Sequence, residues 1–286
     1  MEEMRLRYPL PLLSRVMNVS ASGYYSWRDR PLSPRAREDL RLEIEIIAAH
    51  KRNRKVYGAE RLHRDLVEHH VAVGICRVRR LRKKLGIRCK QKRKFKVTTD
   101  SKHNLPVADN ILGQRFKVSA PNQVWASDIT YVPTDEGWLY LASHKDLFTG
   151  YIVGYSMGDR LTRDLVSQSL CRAVAAKRPG KGLVHHSDRG SQYCSYDFRN
   201  YLDQFGMIAS MSRKGNCYDN APMESFWGTL KQEQVHHHRY RTRQEAIRDI
   251  TEYIEIFYNR QRIQARLGFL SPAVFERKFY ADALAA

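Results

Sequence analysis

Paired cysteines are missing from this sequence. The five it has (Cys76, Cys89, Cys171, Cys194, Cys217) are scattered, and no two form a CxxC unit. That argues against a disulfide framework or a zinc ribbon and fits a reducing compartment. No uncharged run approaches the ~20 apolar residues of a membrane span. The opening MEEMRLRYPL lacks the apolar core of a secretory leader. A soluble, cytoplasmic protein with no membrane partner is therefore expected. Internal repeats and low-complexity tracts are absent too. So is acid between residues 77 and 96, where 12 of 20 side chains are Lys or Arg.

What the sequence does have is a lopsided charge. Residues 1–120 carry 29 Lys/Arg against 12 Asp/Glu, and the remainder 21 against 18. A basic N-terminal region ahead of a near-neutral one suggests a polyanion-binding part joined to something else, with nucleic acid the first candidate. A hydrophobic content of 42% over 286 residues is enough for two or three domains with real cores.

The N-terminal half reads as helices. Leu13, Val16 and Met17 share one helical face, and Ser20 is placed to cap a second short helix. Pro31 and Pro34 bracket a linker. The next helix, from Ala36 to about Lys51, carries Leu40, Ile44 and Ile47 as its expected core stripe. A further helix spans Glu60–His69 with Leu62 and Leu66 inward, and a basic one spans Arg77–Leu85 with Val78 and Leu81 inward. Helix, turn and basic helix is the shape of a DNA-reading module. Arg77, Arg79, Arg80, Arg82, Lys83, Lys84 and Arg88 are its candidate DNA contacts. The plainer reading of such a run, a solvated face or basic linker, is less favoured because the excess is single-signed and uninterrupted.

From Asn122 onward the pattern changes. Strands are expected at 123–132, 138–146, 151–157, 182–187 and 207–211. Helices are expected at 163–177, 195–205, 220–234 and 242–260. Together they describe a mixed α/β sheet with helices on its faces. Three acids stand out by position. Asp128 interrupts an apolar strand, where a carboxylate is expensive to bury without a partner. Asp188 ends a strand before a Gly loop. Glu224 opens a helix behind Asn220, a plausible N-cap, and Pro222. Met223, Phe226, Trp227 and Leu230 form that helix's apolar stripe, and Lys231 lies nearly two turns beyond Glu224 on the same side. Each acid alone reads as surface charge. Together they suit hard divalent ions, which prefer oxygen ligands and in pairs drive phosphoryl transfer. Trp125, Trp138 and Trp227 read as core, with contact to DNA the alternative for Trp227 beside Glu224. The His236–His238 run reads as solvated surface, because adjacent residues cannot surround one ion from a helix.

Four segments, WASDITYVPTDEGWLYLA, VHHSDRGSQYCS, SRKGNCYDNAPMESFWGTLKQE and YNRQR…LGFLSP, resemble the OrfB transposases of the bacterial insertion-sequence-three type, relatives of retroviral integrases. Thirty-five residues separate Asp188 from Glu224, as in that group's D,D(35)E pattern. Lys231 matches its basic residue seven positions after the Glu, and YGAERLHRDL resembles its helix-turn-helix segment. The resemblance implies an RNase H-like core behind an all-α, helix-turn-helix-like N-terminal region. It further implies two Mg²⁺ ions (Mn²⁺ substituting) on Asp128, Asp188 and Glu224. The expected reaction is cleavage at an element's inverted-repeat ends and joining of the 3′-hydroxyl to target DNA. A homo-oligomer on double-stranded DNA, and an OrfA partner or fusion from the upstream frame, are expected as well. Two departures from the family pattern are visible. Gln264 stands where the family has His, and Ala142-Ser143-His144-Lys145-Asp146 is more polar than usual, which leads one to expect weaker sheet packing.

The expected division is 1–34 short helices and linker, 35–98 DNA-binding domain, 99–119 linker, 120–235 catalytic core and 236–286 helical extension. Competing functions are a non-catalytic DNA-binding regulator derived from the element and an RNase H-type nuclease. A regulator has no need of the three acids with Lys231, which favours the enzyme.

Overall fold

The computed structural model describes residues 1–90, 107–214 and 216–285. Expectations for residues 91–106, namely the end of the basic run and the start of the 99–119 linker, lie outside them. Two compact units emerge: Met1–Arg54 with Leu62–Arg88, and Lys55–Arg61 with Cys89–Ala286. Among the described residues no helix is long and apolar enough to cross a membrane.

The first unit is helical: α1 (Leu10–Met17), α2 (Ala21–Arg28), α3 (Pro34–Arg52), most of α4 (Ala59–Glu68) and α5 (Ile75–Lys84). Ser20 Oγ caps α2 by accepting from the Gly23 amide. Ser33 caps α3 through Ala36, with Pro34 in the first turn where its missing N–H costs nothing. The core stripe of α3 differs from expectation. Leu42, Ile46 and Ala49 are buried, whereas Leu40, Ile44 and Ile47 are 48%, 69% and 36% exposed. Two apolar stripes are available on this helix, and the one that faces α5 is buried. Asp39 and Glu43 flank the buried stripe and meet Arg77, Arg80 and Lys84 of α5 at 2.6–2.9 Å. Val78 and Leu81 are thereby turned inward and fully buried.

The second unit is built on a five-stranded sheet in the order β3-β2-β1-β4-β5, with β1 Val124–Thr134, β2 Gly137–Asp146, β3 Ile152–Gly158, β4 Val184–Ser187 and β5 Ile208–Met211. The first three strands are antiparallel, while β4 and β5 run parallel to β1. One face is covered by α6 (Arg163–Lys177) and α7 (Tyr196–Gln204) around a core that includes Trp125, Val166, Leu170, Tyr193 and Phe198. At Gly154 of β3 a Cβ would sit 2.6 Å from the Ala173 backbone. Only glycine lets α6 lie this close. Helix α8 (Ala221–Glu233) buries Met223, Phe226, Trp227 and Leu230, as its spacing predicts. This unit is an α/β fold, a mixed five-stranded sheet flanked by helices.

The polar end of β2 packs fully. Ser143, His144, Lys145 and Asp146 are all buried, because three of the four find partners. His144 bonds Ser169 Oγ (2.8 Å) and His185 (3.1 Å), and Lys145 Nζ donates to the Pro222 carbonyl (3.0 Å). Asp146 accepts from Asn122 N, Thr149 N and Thr149 Oγ1, each at 2.7 Å. The expected weakening of the sheet is not found. Trp138, expected in the core, is 49% exposed. It pairs with Pro133 at the far end of the β1–β2 hairpin, beyond the reach of β3, and rests edge-on against Tyr131 at 4.7 Å.

The helix expected through Arg260 changes character midway. Helix α9 (Arg243–Glu252) runs on as a π-helix over Tyr253–Gln261, closed by Arg262 N bonding the Phe257 carbonyl five residues back. The wider winding buries Tyr253, Ile254, Phe257 and Tyr258 together. Asn259 then bonds both the N–H and the carbonyl of Ile152 (2.9 and 3.1 Å), as a neighbouring strand would. Just beyond, Arg262 forms a bidentate pair with Glu233 at the end of α8 (2.7 and 2.8 Å), and Tyr253 donates to the same carboxylate. Tyr57 OH ties Gln261 O and Ile263 N to this clasp. Gln264, in the position where His was expected, is buried and its backbone pairs with Leu270.

Both members of the Glu233–Arg262 pair are about nine-tenths buried. Removing one leaves the other charged and unpaired, so Glu233→Gln is expected to lower the unfolding free energy in urea by ~3–5 kcal/mol. A Glu233→Leu/Arg262→Met double variant should recover most of that loss.

Candidate active site

Parallel pairing of β1 with β4 aligns Trp125 with His185 and Ala126 with His186. Carried two residues further, this register brings Asp128 level with Asp188, just past the end of β4. Asp128 lies midway along β1, while Asp188 follows the carboxyl end of β4 at the point where the strand order switches direction, the usual binding crevice of an α/β sheet. Asp128 Oδ1 accepts from the Ile129 amide (2.8 Å), and its Oδ2 accepts from the indole Nε1 of Trp227 on α8 (3.0 Å). Asp188 Oδ1 accepts from the Gly190 amide (2.9 Å). A Cβ at Gly190 would stand 3.0 Å from that oxygen and 3.1 Å from Gln192 Oε1, so glycine leaves both side chains undisturbed in the turn after Asp188.

The electrostatics follow from this proximity. Burial, and then the neighbouring Asp188, push the Asp128 carboxyl up to about 8. The two N–H donors oppose the rise and Glu224 adds to it. Glu224 is raised as well, by desolvation. Beneath the two aspartates, Tyr193 bonds Ser127 Oγ at 2.9 Å, and burial followed by the two carboxylates drives its phenol far up. Lys231 lies 5.0 Å from the centre of the Tyr131 ring; partial burial lowers its ammonium and Asp128 opposes that.

Glu224 itself is exposed in the first turn of α8. Among the described residues, no three His, Cys, Asp or Glu side chains stand close enough to enclose one ion. Asp128 and Asp188 are brought together, with Glu224 within their electrostatic reach but not closed upon them. Asn220 occupies the N-cap position of α8, as expected, but its side chain makes no cap bond and instead donates to the Ser127 carbonyl (3.1 Å), which fastens α8 to β1.

One acid escaped sequence reading. Asp219, fully buried before α8, accepts from Arg213 N, Nε and Nη2, Gln114 Nε2 and Asn110 Nδ2, all at 2.7–3.0 Å. The Arg213 bonds come first in holding its carboxyl well below the usual range. The pairing fixes the two flanks of the turn that leads into Glu224. Its signal was an Arg and an Asp six residues apart within SRKGNCYDNAPMES.

Of the candidate DNA contacts, Arg77, Arg80 and Lys84 are engaged with α3 acids. Arg79, Lys83 and Arg88 point to exposed positions, and Arg82 is half-buried. The triplet His236–His238 contributes no metal site. His237 bonds the Gln232 carbonyl and His238 lies 3.4 Å from Asp249.

Comparison with known proteins gives matches along the whole chain. Models described as an integrase core domain match residues 118–217 and 224–279, and an HTH-like domain model matches residues 36–95. An uncharacterized 31 kDa protein of insertion element IS600 from Shigella sonnei is 57% identical over 94% of this chain and 98% of its own. Transposase InsF of insertion sequence IS3A from Escherichia coli K12 is 38% identical over 97% of both. The HTLV-2 integrase catalytic core domain, solved in complex with magnesium, covers 56% of this chain and 99% of its own at 15% identity, with a TM-score of 0.45.

Lys145 provides a pH test of the scaffold behind the site. Burial, then Arg266 and Arg262, lower its ammonium to about 7. The unfolded chain, with an ordinary lysine near ~10.4, thus binds more protons between these values, and stability from this group rises with pH across that window. Lys145→Met is expected to gain stability over the parent at pH 7 in urea unfolding, with the difference shrinking towards pH 10.

Proposed function

This chain belongs to the insertion-sequence transposases of the IS3 type, and on that premise we propose that Asp128, Asp188 and Glu224 are the catalytic carboxylates and hold two divalent ions, Mg²⁺ with Mn²⁺ as substitute. The observation that carries the assignment is the β1–β4 register, which brings Asp128, midway along β1, level with Asp188 just past β4, at a separation where Asp188 disfavours the charge of Asp128. Two N–H donors to Asp128 do not offset that repulsion. A cation does, and an all-oxygen donor set suits a hard one. Bound ions of this kind supply Lewis acidity to the attacking and leaving oxygens of a phosphoryl transfer.

The chain's own residues do the rest. Asp128 is fixed in a strand, Asp188 in a glycine-tightened turn, and Glu224 on a helix held by Asn220 and Lys145. Glu224 completes the set by turning its exposed side chain inward from the first turn of α8. Lys231, partly buried beside Tyr131, supplies an ammonium to a DNA phosphate near the acids. Residues 35–98 form the DNA-binding domain and residues 120–235 the catalytic core. Arg79, Lys83 and Arg88 make phosphate contacts. Arg77, Arg80 and Lys84 serve chiefly to pack α5 on α3. The reaction is cleavage at the element's inverted-repeat ends and joining of the 3′-hydroxyl to target DNA, with that hydroxyl as the nucleophile and no covalent protein intermediate.

A strand-transfer assay with labelled element ends in Mg²⁺ tests the assignment. Asp128→Asn, Asp188→Asn and Glu224→Gln are each expected to lose ~10³-fold or more of joining, with end-DNA affinity nearly unchanged. Full joining by any one of them would remove that residue from the set.

A further inference from the structure

Trp227 stands out because it does two things at once. It is 6% exposed, with its ring 4.8 Å from Phe226, as a core residue should be. Its indole N–H is nevertheless directed at one acceptor, Asp128 Oδ2, at 3.0 Å. A buried indole needs some partner. A phenylalanine would fill much of the same space without needing one, and a backbone carbonyl would satisfy the donor without engaging the site. The other oxygen of Asp128 is held by the Ile129 amide. The carboxylate is therefore pinned by two donors from two elements, one in β1 and one in α8, and each oxygen keeps a lone pair for another partner. Trp227 also follows Glu224 by three residues, about one helical turn. The single bond thus orients one acid and sets the register of the helix that carries another.

We propose that Trp227 is a positioning residue: its indole N–H locks the Asp128 carboxylate in a ligating orientation and registers Glu224 against β1. The proposal rests on the reading of Asp128, Asp188 and Glu224 as metal ligands. Trp227 offers no lone pair to an ion, because its indole nitrogen is a donor only. Its effect passes through Asp128, in the manner of outer partners that orient metal ligands elsewhere.

The test measures Mn²⁺ binding to the full chain without DNA, by the loss of the free-ion paramagnetic resonance signal. Four proteins are compared: parent, Asp188→Asn, Trp227→Phe and Trp227→His, the last restoring a ring N–H. Trp227→Phe is expected to bind Mn²⁺ ~10–100-fold more weakly. Its metal-free melting temperature should stay near that of the parent, and joining should fall in kcat while end-DNA affinity holds. Trp227→His should recover part of the loss. Parent-like Mn²⁺ affinity in Trp227→Phe overturns the proposal, as does a Trp227→His variant no better than a folded Trp227→Phe. Undiminished Mn²⁺ binding by Asp188→Asn overturns the ligand assignment instead, so the two failures are distinguishable. If Trp227→Phe does not fold, the parent's indole N–H resonances decide. Trp227 should exchange with solvent far more slowly than the 59% exposed Trp27 and should shift in Asp128→Asn. Exchange as fast as that of Trp27 would overturn the proposal.

Discussion

Two carboxylates on adjacent parallel strands, one midway along β1 and one just past the end of β4, repel each other, and most of what surrounds them in the second unit keeps them there. Backbone pairing between β1 and β4 leaves Asp128 and Asp188 no freedom to separate along the sheet. Partial burial weakens the screening by water, and together with Asp188 it raises the Asp128 carboxyl. An arrangement this unfavourable persists only if the scaffold over-determines it. Ser127, next to Asp128, is gripped twice, through its hydroxyl by Tyr193 and through its carbonyl by Asn220. The turn after Asp188 is tightened at Gly190, and the loop before α8 is clamped by Asp219 and Arg213.

Helix α8 is fastened at both ends by buried polar groups. At its start, Lys145 donates to the Pro222 carbonyl from β2. At its end, Glu233 meets Arg262 and Tyr253 of the C-terminal segment. Between these anchors the Trp227 indole reaches Asp128. The three ties come from different parts of the chain and act on one helix, the one that carries Glu224 and Lys231. The C-terminal segment, remote from the acids in sequence, thus bears on their geometry.

Much of this was legible before the fold was known. The five strands followed from alternating and apolar runs. The acids stood out because each broke a local pattern: an Asp in an apolar strand, an Asp at a strand end before glycine, a Glu after an Asn-Ala-Pro helix start. What escaped depended on tertiary choice. The apolar spacing of α3 supports two stripes, and which one is buried depends on where α5 packs, with Asp39 and Glu43 meeting its basic side chains at the edge. Polar β2 residues looked like a defect because their partners, Ser169, His185 and Pro222, lie 25 to 77 positions away. Asn220 was read as a cap from its neighbours, while its real acceptor, Ser127, is 93 residues distant. Trp227 was correctly read as core, but no spacing rule says where an indole N–H will point.

The central claim is that Asp128 and Asp188 form a poised carboxyl pair whose full ionisation is unfavourable until a divalent ion binds. It is tested most directly by calorimetric titration of Mg²⁺ into the metal-free chain at pH 7, in buffers of different ionisation heat. Asp128, pushed up to about 8, carries its proton at that pH, and ligation requires the charged form. The account predicts that Mg²⁺ binding releases a proton from the chain, and that Asp188→Asn abolishes both binding and release. Binding without proton release, or binding that survives Asp188→Asn unchanged, would contradict it.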